Sequence, residues 1–246
     1  IRDDLVTGVQ TCALPILMVD SKKIGIAGAA VVLVTLVTLF GTSYMADFEN
    51  NPRNMAQNDS EQNELKAIEL KHAPVLGSGS ATVTIVEVGD YQCHMCKRWL
   101  EQTRPLIIEN YVTTGQVNLV FVDMPFLGRD SLPASEASYC ADDQGKFWEY
   151  HVALFEYQQE IDDGWANQNR LQAIAFQLGL DIEQFDTCMA SNEHFARVNY
   201  NKQIAVTEFG ANSTPTFMIV NTSGDSKRII GAHPYSTFEE IINSML

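Results

Sequence analysis

Two cysteines separated by two residues stand where a β-strand hands over to a helix, and no other feature constrains the chain as tightly. Ala81 to Val88, ATVTIVEV, is short and β-branched and reads as a strand. Trp99 to Tyr111 carries apolar residues at helical spacing: Trp99, Leu100, Ile107, Ile108 and Tyr111. Between them lies Cys93-His94-Met95-Cys96. Val117 to Val122, VNLVFV, is a second strand of the buried type. Strand, helix, strand in that order predicts an α/β fold with a parallel pair and a crossover helix. A helix-rich stretch follows, from about Leu132 to Phe209. Thr216 to Val220 is a third strand and Lys227 to Ile230 a fourth, joined by turn residues, and Phe238 to Leu246 closes the chain as an amphipathic helix.

The place of the cysteines dictates their chemistry. At a helix N-terminus the unpaired N–H groups and the helix dipole stabilise negative charge. A thiolate there is populated at neutral pH. Cys93 is therefore the candidate attacking thiolate, and Cys96, within one helical turn, the resolving thiol. Zinc sites also use this spacing, but a structural zinc needs four ligands and no second pair exists. Copper is the stronger rival, because Cys93, His94, Met95 and Cys96 offer soft or borderline ligands. The reading is thiol–disulfide redox chemistry, with copper binding or delivery as the alternative.

Three further positions bear on that site. Glu87 lies six residues before Cys93 in an apolar strand. If the strand is covered on both faces, its carboxyl is buried, its pKa rises, and it suits proton exchange with Cys96. The alternative is a solvated or edge-facing side chain. His94 adjoins the thiolate and stabilises it when protonated. Thr214-Pro215 precedes the third strand; X–Pro is where cis peptides occur, although a loop proline starting a strand is equally ordinary.

The remainder sets the context. Residues 6–16, VTGVQTCALPI, resemble a translated sequencing-library adapter, so 1–17 is read as an artefactual extension and Cys12 is set aside. Residues 18–23 read as a cytoplasmic N-terminus. Ile24 to Tyr44 carries no charge and is long enough to span a bilayer; Lys22 and Lys23 precede it, and Asp47 and Glu49 follow it. This predicts an uncleaved transmembrane anchor, with a cleaved signal peptide as the competing reading, and places the rest of the chain outside the cytoplasm. Residues 45–74 form a polar tether. Cys140 and Cys188 are either two buried thiols or a bridge across about 48 residues; outside the cytosol the bridge is expected. The charge run Glu160 to Asp163 reads as a solvated loop. The net charge of −15 argues against nucleic acid as a partner.

Together Val75-Leu76-Gly77-Ser78, Val86-Glu87-Val88-Gly89-Asp90-Tyr91-Gln92-Cys93-x-x-Cys96, Gly145-Lys146-Phe147-Trp148-Glu149-Tyr150-His151 and Thr214-Pro215-Thr216-Phe217 resemble the DsbA-like branch of the thioredoxin superfamily, over 75–246. The resemblance implies a thioredoxin-like fold with a helical insertion at about 130–209. It implies that Cys93 and Cys96 cycle between dithiol and disulfide, and that Thr214-Pro215 is cis beside them, presenting backbone to a substrate. It implies protein or peptide thiol substrates, a membrane redox partner for reoxidation, and no cofactor. The helical insertion resembles that of monomeric thiol oxidants, and the polar tether offers no dimerisation domain. His94-Met95 departs from the family, in which proline followed by His or Phe is common. Met95 removes one possible cation, so a milder oxidant is expected.

Overall fold

The structure, a computed structural model, describes residues 73–246. The extension at 1–17, the cytoplasmic segment at 18–23, the anchor at 24–44 and nearly all of the tether at 45–74 lie outside the described residues. Among the described residues no helix is long and apolar enough to cross a membrane.

The β-branched runs form the strands. β1 (Val75–Leu76), β2 (Val83–Gly89), β3 (Val117–Asp123), β4 (Thr216–Asn221) and β5 (Ser226–Ile230) make one sheet in the order β1-β3-β2-β4-β5. β2 and β3 run parallel, Val83 opposite Val117 through Gly89 opposite Asp123. The other three pairings are antiparallel. β2 is central and covered on both faces, which is why six of its seven residues are buried and it shows no polar alternation.

The crossover from β2 to β3 is not one continuous helix. α1 (His94–Gln102) ends at Thr103, α2 (Arg104–Ile107) follows, and a π-helical turn (Ile108–Val112) completes the run. Pro105 stands in the first turn of α2, where its missing N–H is tolerated. A helix passing unbroken through Pro105 would lose a hydrogen bond there. The apolar spacing from Trp99 to Tyr111 nevertheless keeps one inward face, because Trp99, Ile107 and Tyr111 share a core with Val83 and Ile85 of β2.

Between β3 and β4 lie five helices: α3 (Ser131–Asp142), α4 (Phe147–Glu156), α5 (Gln168–Gln177), α6 (Ile182–Ser191) and α7 (Phe195–Thr207). Their core gathers Tyr139, Phe147, Tyr150, Phe155, Trp165 and Phe185. It also takes in Tyr91, Cys96 and Leu100 from the other side of the cysteine site. α8 (Tyr235–Met245) packs Phe238 and Ile242 beside Trp99 and Phe217. Ile204 and Ala205 of α7 cover the opposite sheet face, against Val86, Val88, Val120 and Val122. The thioredoxin-like α/β fold is therefore present, and the helical run expected from Leu132 to Phe209 forms the insertion.

Candidate active site

β2 ends at Gly89, where there is no room for a side chain. A Cβ there would lie 2.5 Å from the Phe121 ring. The chain then turns through Asp90-Tyr91-Gln92 into α1, and Cys93 is the residue that caps that helix. Its Sγ accepts from the Cys96 backbone N–H at 3.4 Å and lies 3.3 Å from the Thr214 carbonyl oxygen, to which the thiol can donate. The Thr214-Pro215 peptide is cis. Two stretches distant in sequence thus converge on one sulfur: the turn from β2 into α1 and the loop before β4.

The two thiols are free and electrostatically unlike. Cys93 is lowered from 9.0 to about 6. The hydrogen bond from the Cys96 thiol contributes most, burial opposes it, and the Thr214 side chain and the backbone N–H groups of Cys96 and Met95 add to the lowering. Cys96 is fully buried and pushed well above its ordinary value, first by burial and then by the hydrogen bond and charge of Cys93. One sulfur is a thiolate at neutral pH and its neighbour a protonated thiol.

Glu87 is 5% exposed. It shares the face of β2 that carries Val83 and Ile85, and its cross-strand neighbours are Phe121 and Phe217. In that apolar setting burial raises its carboxyl from 4.5 to about 8, against the lowering influence of Arg104 and with a further rise from Cys93. Its Oε1 has no hydrogen-bond partner. His94 points away from the sulfur; its Nε2 lies 3.2 Å from the Gln159 carbonyl oxygen. Met95 is 41% exposed beside the thiols. The structure brings Glu87, Cys93, Cys96, Thr214 and Pro215 together, with Met95 at the rim. It does not gather the four side chains from Cys93 to Cys96 around one point, because Cys96 is sealed inside while His94 and Met95 face outward.

Cys140 and Cys188 are bonded to each other, with Cα atoms 5.8 Å apart, and join α3 to α6.

Several residues at the site carried no sequence signal of their own. Asp90 is fully buried, and its carboxylate accepts from the Gln92, Phe126 and Leu127 N–H groups and from the Ser131 hydroxyl. Gln92 donates to Ser131 Oγ at 2.9 Å and accepts from the Asp162 N–H at 2.7 Å. Tyr91 places its hydroxyl 3.0 Å from His151 Nδ1, and its carbonyl accepts from Gln158. These bonds lock the turn before Cys93 onto the insertion. They also correct one expectation: the charge run Glu160 to Asp163 is not simply a solvated loop. Asp162 is held against Gln92 and the Asp130 N–H, and Gly128 leaves space for its carboxylate, which a Cβ would meet at 2.2 Å.

A helix-capping thiolate facing a cis-proline loop, on a mixed sheet with a helical insertion, defines a DsbA-like protein of the thioredoxin superfamily. The family model described as thioredoxin matches residues 69–244, and the chain belongs to that family. The disulfide bond formation protein D of Bacillus subtilis is 36% identical over 108 residues, 43% of this chain and 49% of that protein. The chain spans about half the length of the curated relatives it matches. Oxidised BdbD from Bacillus subtilis superposes with a TM-score of 0.65 at 27% identity, covering 72% of this chain and 94% of that one. Wolbachia pipientis alpha-DsbA1 shares the fold, with a TM-score of 0.63 at 22% identity over 72% of this chain and 92% of that one.

Proposed function

We propose that this chain is a thiol–disulfide oxidoreductase that introduces disulfides into protein or peptide thiols outside the cytoplasm. The observation that carries the proposal is the asymmetry of the pair. Cys93 is an ionised, cap-stabilised sulfur beside the Thr214 carbonyl, and Cys96 is a sealed, protonated one. In the oxidised enzyme a substrate thiolate attacks Cys93 Sγ. The Cys93–Cys96 bond breaks, and its electron pair leaves on Cys96, which takes up a proton. A second substrate thiolate then attacks the substrate sulfur of the mixed disulfide and releases Cys93 as a thiolate. The substrate loses two electrons and the enzyme pair gains them.

Glu87 is the proposed proton carrier for Cys96, and the cis Thr214-Pro215 segment the backbone on which substrate lies. The Cys140–Cys188 bridge is proposed as structural. The apolar run at 24–44 serves as a membrane anchor, with 18–23 cytoplasmic and 45–74 as the tether, so that a membrane redox partner reoxidises the pair. The enzyme works as a monomer without a cofactor. The relatives named for disulfide bond formation support this reading. Copper handling is the lesser alternative, because the geometry directs His94 and Met95 away from Cys96.

The test is the oxidised full chain in detergent mixed with a reduced dithiol peptide. Stoichiometric peptide oxidation is expected, and Cys93→Ser abolishes it. Tight copper binding by the reduced chain without peptide oxidation would replace this function with the alternative.

A further inference from the structure

Arg104 is the one charged residue of the crossover helices that turns inward. It is 7% exposed and lies eight residues after Cys96, with Leu100 midway. Spacing of four keeps all three on one side of a helical path, and all three are buried. The guanidinium sits over the Trp148 ring of α4, 5.2 Å from its centroid. Among the described residues no carboxylate forms a salt bridge with it.

A continuous wall of rings leads from there to Glu87. Trp148 and His151 lie 5.2 Å apart, and His151 and Phe121 4.7 Å. Phe121 is the cross-strand neighbour of Glu87 and approaches the point at Gly89 that Glu87 Oε1 also approaches. Arg104 is therefore a buried cation and Glu87 a buried carboxyl whose ionisation is pushed up to about 8, on either side of one aromatic enclosure and without direct contact. The groups around Glu87 can be named element by element. The strands on either side present Phe121 and Phe217, with the buried Asp123 one step further along the same face of β3. The turn presents Tyr91, α1 presents Cys93 and Cys96, α2 presents Arg104, and α4 presents His151 near Arg104. His151 is buried and held well below its ordinary value, first by burial and then by Arg104, so it is neutral. Arg104 is the one cation in this set.

We propose that Arg104 is a positioning residue that supplies the fixed positive charge against which Glu87 gives its proton to Cys96 and later takes it back. This rests on the thiol-exchange reading above. When the Cys93–Cys96 bond opens, the proton moves from the Glu87 carboxyl to Cys96 Sγ. A thiol and a carboxylate remain where an acid and a thiolate would otherwise stand. Without a cation the new carboxylate is stranded among aromatic rings. Arg104 is suited to the task because a guanidinium stays protonated when buried and lies flat on an indole face. Trp148 thereby holds the charge at a set distance. A contact pair would ionise Glu87 permanently and spoil it as a proton donor.

The test is the ionisation midpoint of Glu87 in the reduced full chain in detergent. It is read by carboxyl infrared difference spectra, with Glu87→Gln identifying the band. Arg104→Gln should move the midpoint upward by a pH unit or more from the wild-type value. A midpoint unchanged in a folded Arg104→Gln chain overturns the inference. If Arg104→Gln alone does not fold, stability is compared in the Glu87→Gln background. There the loss caused by Arg104→Gln should be smaller, and an equal loss refutes the coupling. No substrate enters these measurements, so a chain that fails to oxidise peptide yet shows the higher midpoint overturns the function and leaves this assignment standing.

Discussion

A single helix start creates two unlike sulfurs from two identical residues. Cys93 has the backbone N–H of Cys96 and the first turn of α1 to hold a negative charge, while at Cys96 burial and the neighbouring Cys93 outweigh what the backbone offers. In the reduced chain Cys93 should alkylate with a half-titration near pH 6, while Cys96 stays unreactive through neutral pH. Thiolate absorbance or timed alkylation with mapping measures this, and equal reactivity of both at free-thiol pH contradicts it. Glu87 makes a second prediction, with a definite sign. Its carboxyl ionises at 4.5 when unperturbed and about 8 in the fold. Between those values the folded chain holds a proton that the unfolded chain has lost, so stability falls as pH rises from 4.5 to about 8. Glu87→Gln should therefore be more stable than wild type at about pH 8, by up to a few kcal/mol, and similar at about pH 4. Urea midpoints of the reduced proteins measure it, the Cys93 titration being common to both; parallel profiles for the two proteins would show that burial does not govern Glu87. Cys93, Cys96 and Glu87 were visible in the sequence because each announces itself locally, by spacing or by polarity inside an apolar run. Arg104 was not, because an arginine followed by proline on a helix reads as surface until the tertiary packing turns it onto Trp148.

The elements show where local signals stop. β2, β3 and β4 came through as β-branched runs, and the crossover followed from their order. The antiparallel edge strand β1, two residues long, has no period to detect. The break at Thr103 was hidden because the apolar spacing continues through it. The joint between the cysteine turn and the insertion was invisible for another reason. Asp90 meets Ser131, Gln92 meets Asp162 and Tyr91 meets His151, and such pairings across long sequence distances leave no pattern in either partner. The Cys140–Cys188 bridge belongs to this scale, since it ties α3 to α6. Replacing both by serine should cost about 2–4 kcal/mol, near the chain-entropy expectation for a loop of this size, while Cys93 keeps its low half-titration. Guanidinium unfolding of the double variant checks the first part, and alkylation the second. A raised Cys93 midpoint would mean that the bridge shapes the site as well as the insertion.

At the scale of the fold, the described residues supply one free cysteine pair, one cis-proline loop and one insertion pinned to the turn before the pair. Reshuffling of wrong disulfides is served by two such sites facing each other, and a single site, on the monomer proposed above, favours oxidation. The full chain should oxidise a reduced peptide but recover a scrambled substrate poorly, as chromatography of the disulfide isomers will reveal. Efficient recovery, or a stable dimer by light scattering, contradicts that picture. The direction of electron flow rests on how strongly the reduced pair is stabilised. A cap-held thiolate favours the dithiol form, and so makes the disulfide an oxidant. At about 6, Cys93 lies between the roughly 3.5 of a strong oxidant and the roughly 7 of thioredoxin. The decisive measurement is the reduction potential of the Cys93–Cys96 pair, by equilibration with glutathione. The account predicts a value between about −120 and −270 mV. A value at or below about −270 mV would make the chain a reductant and contradict the proposed role as a dithiol oxidase.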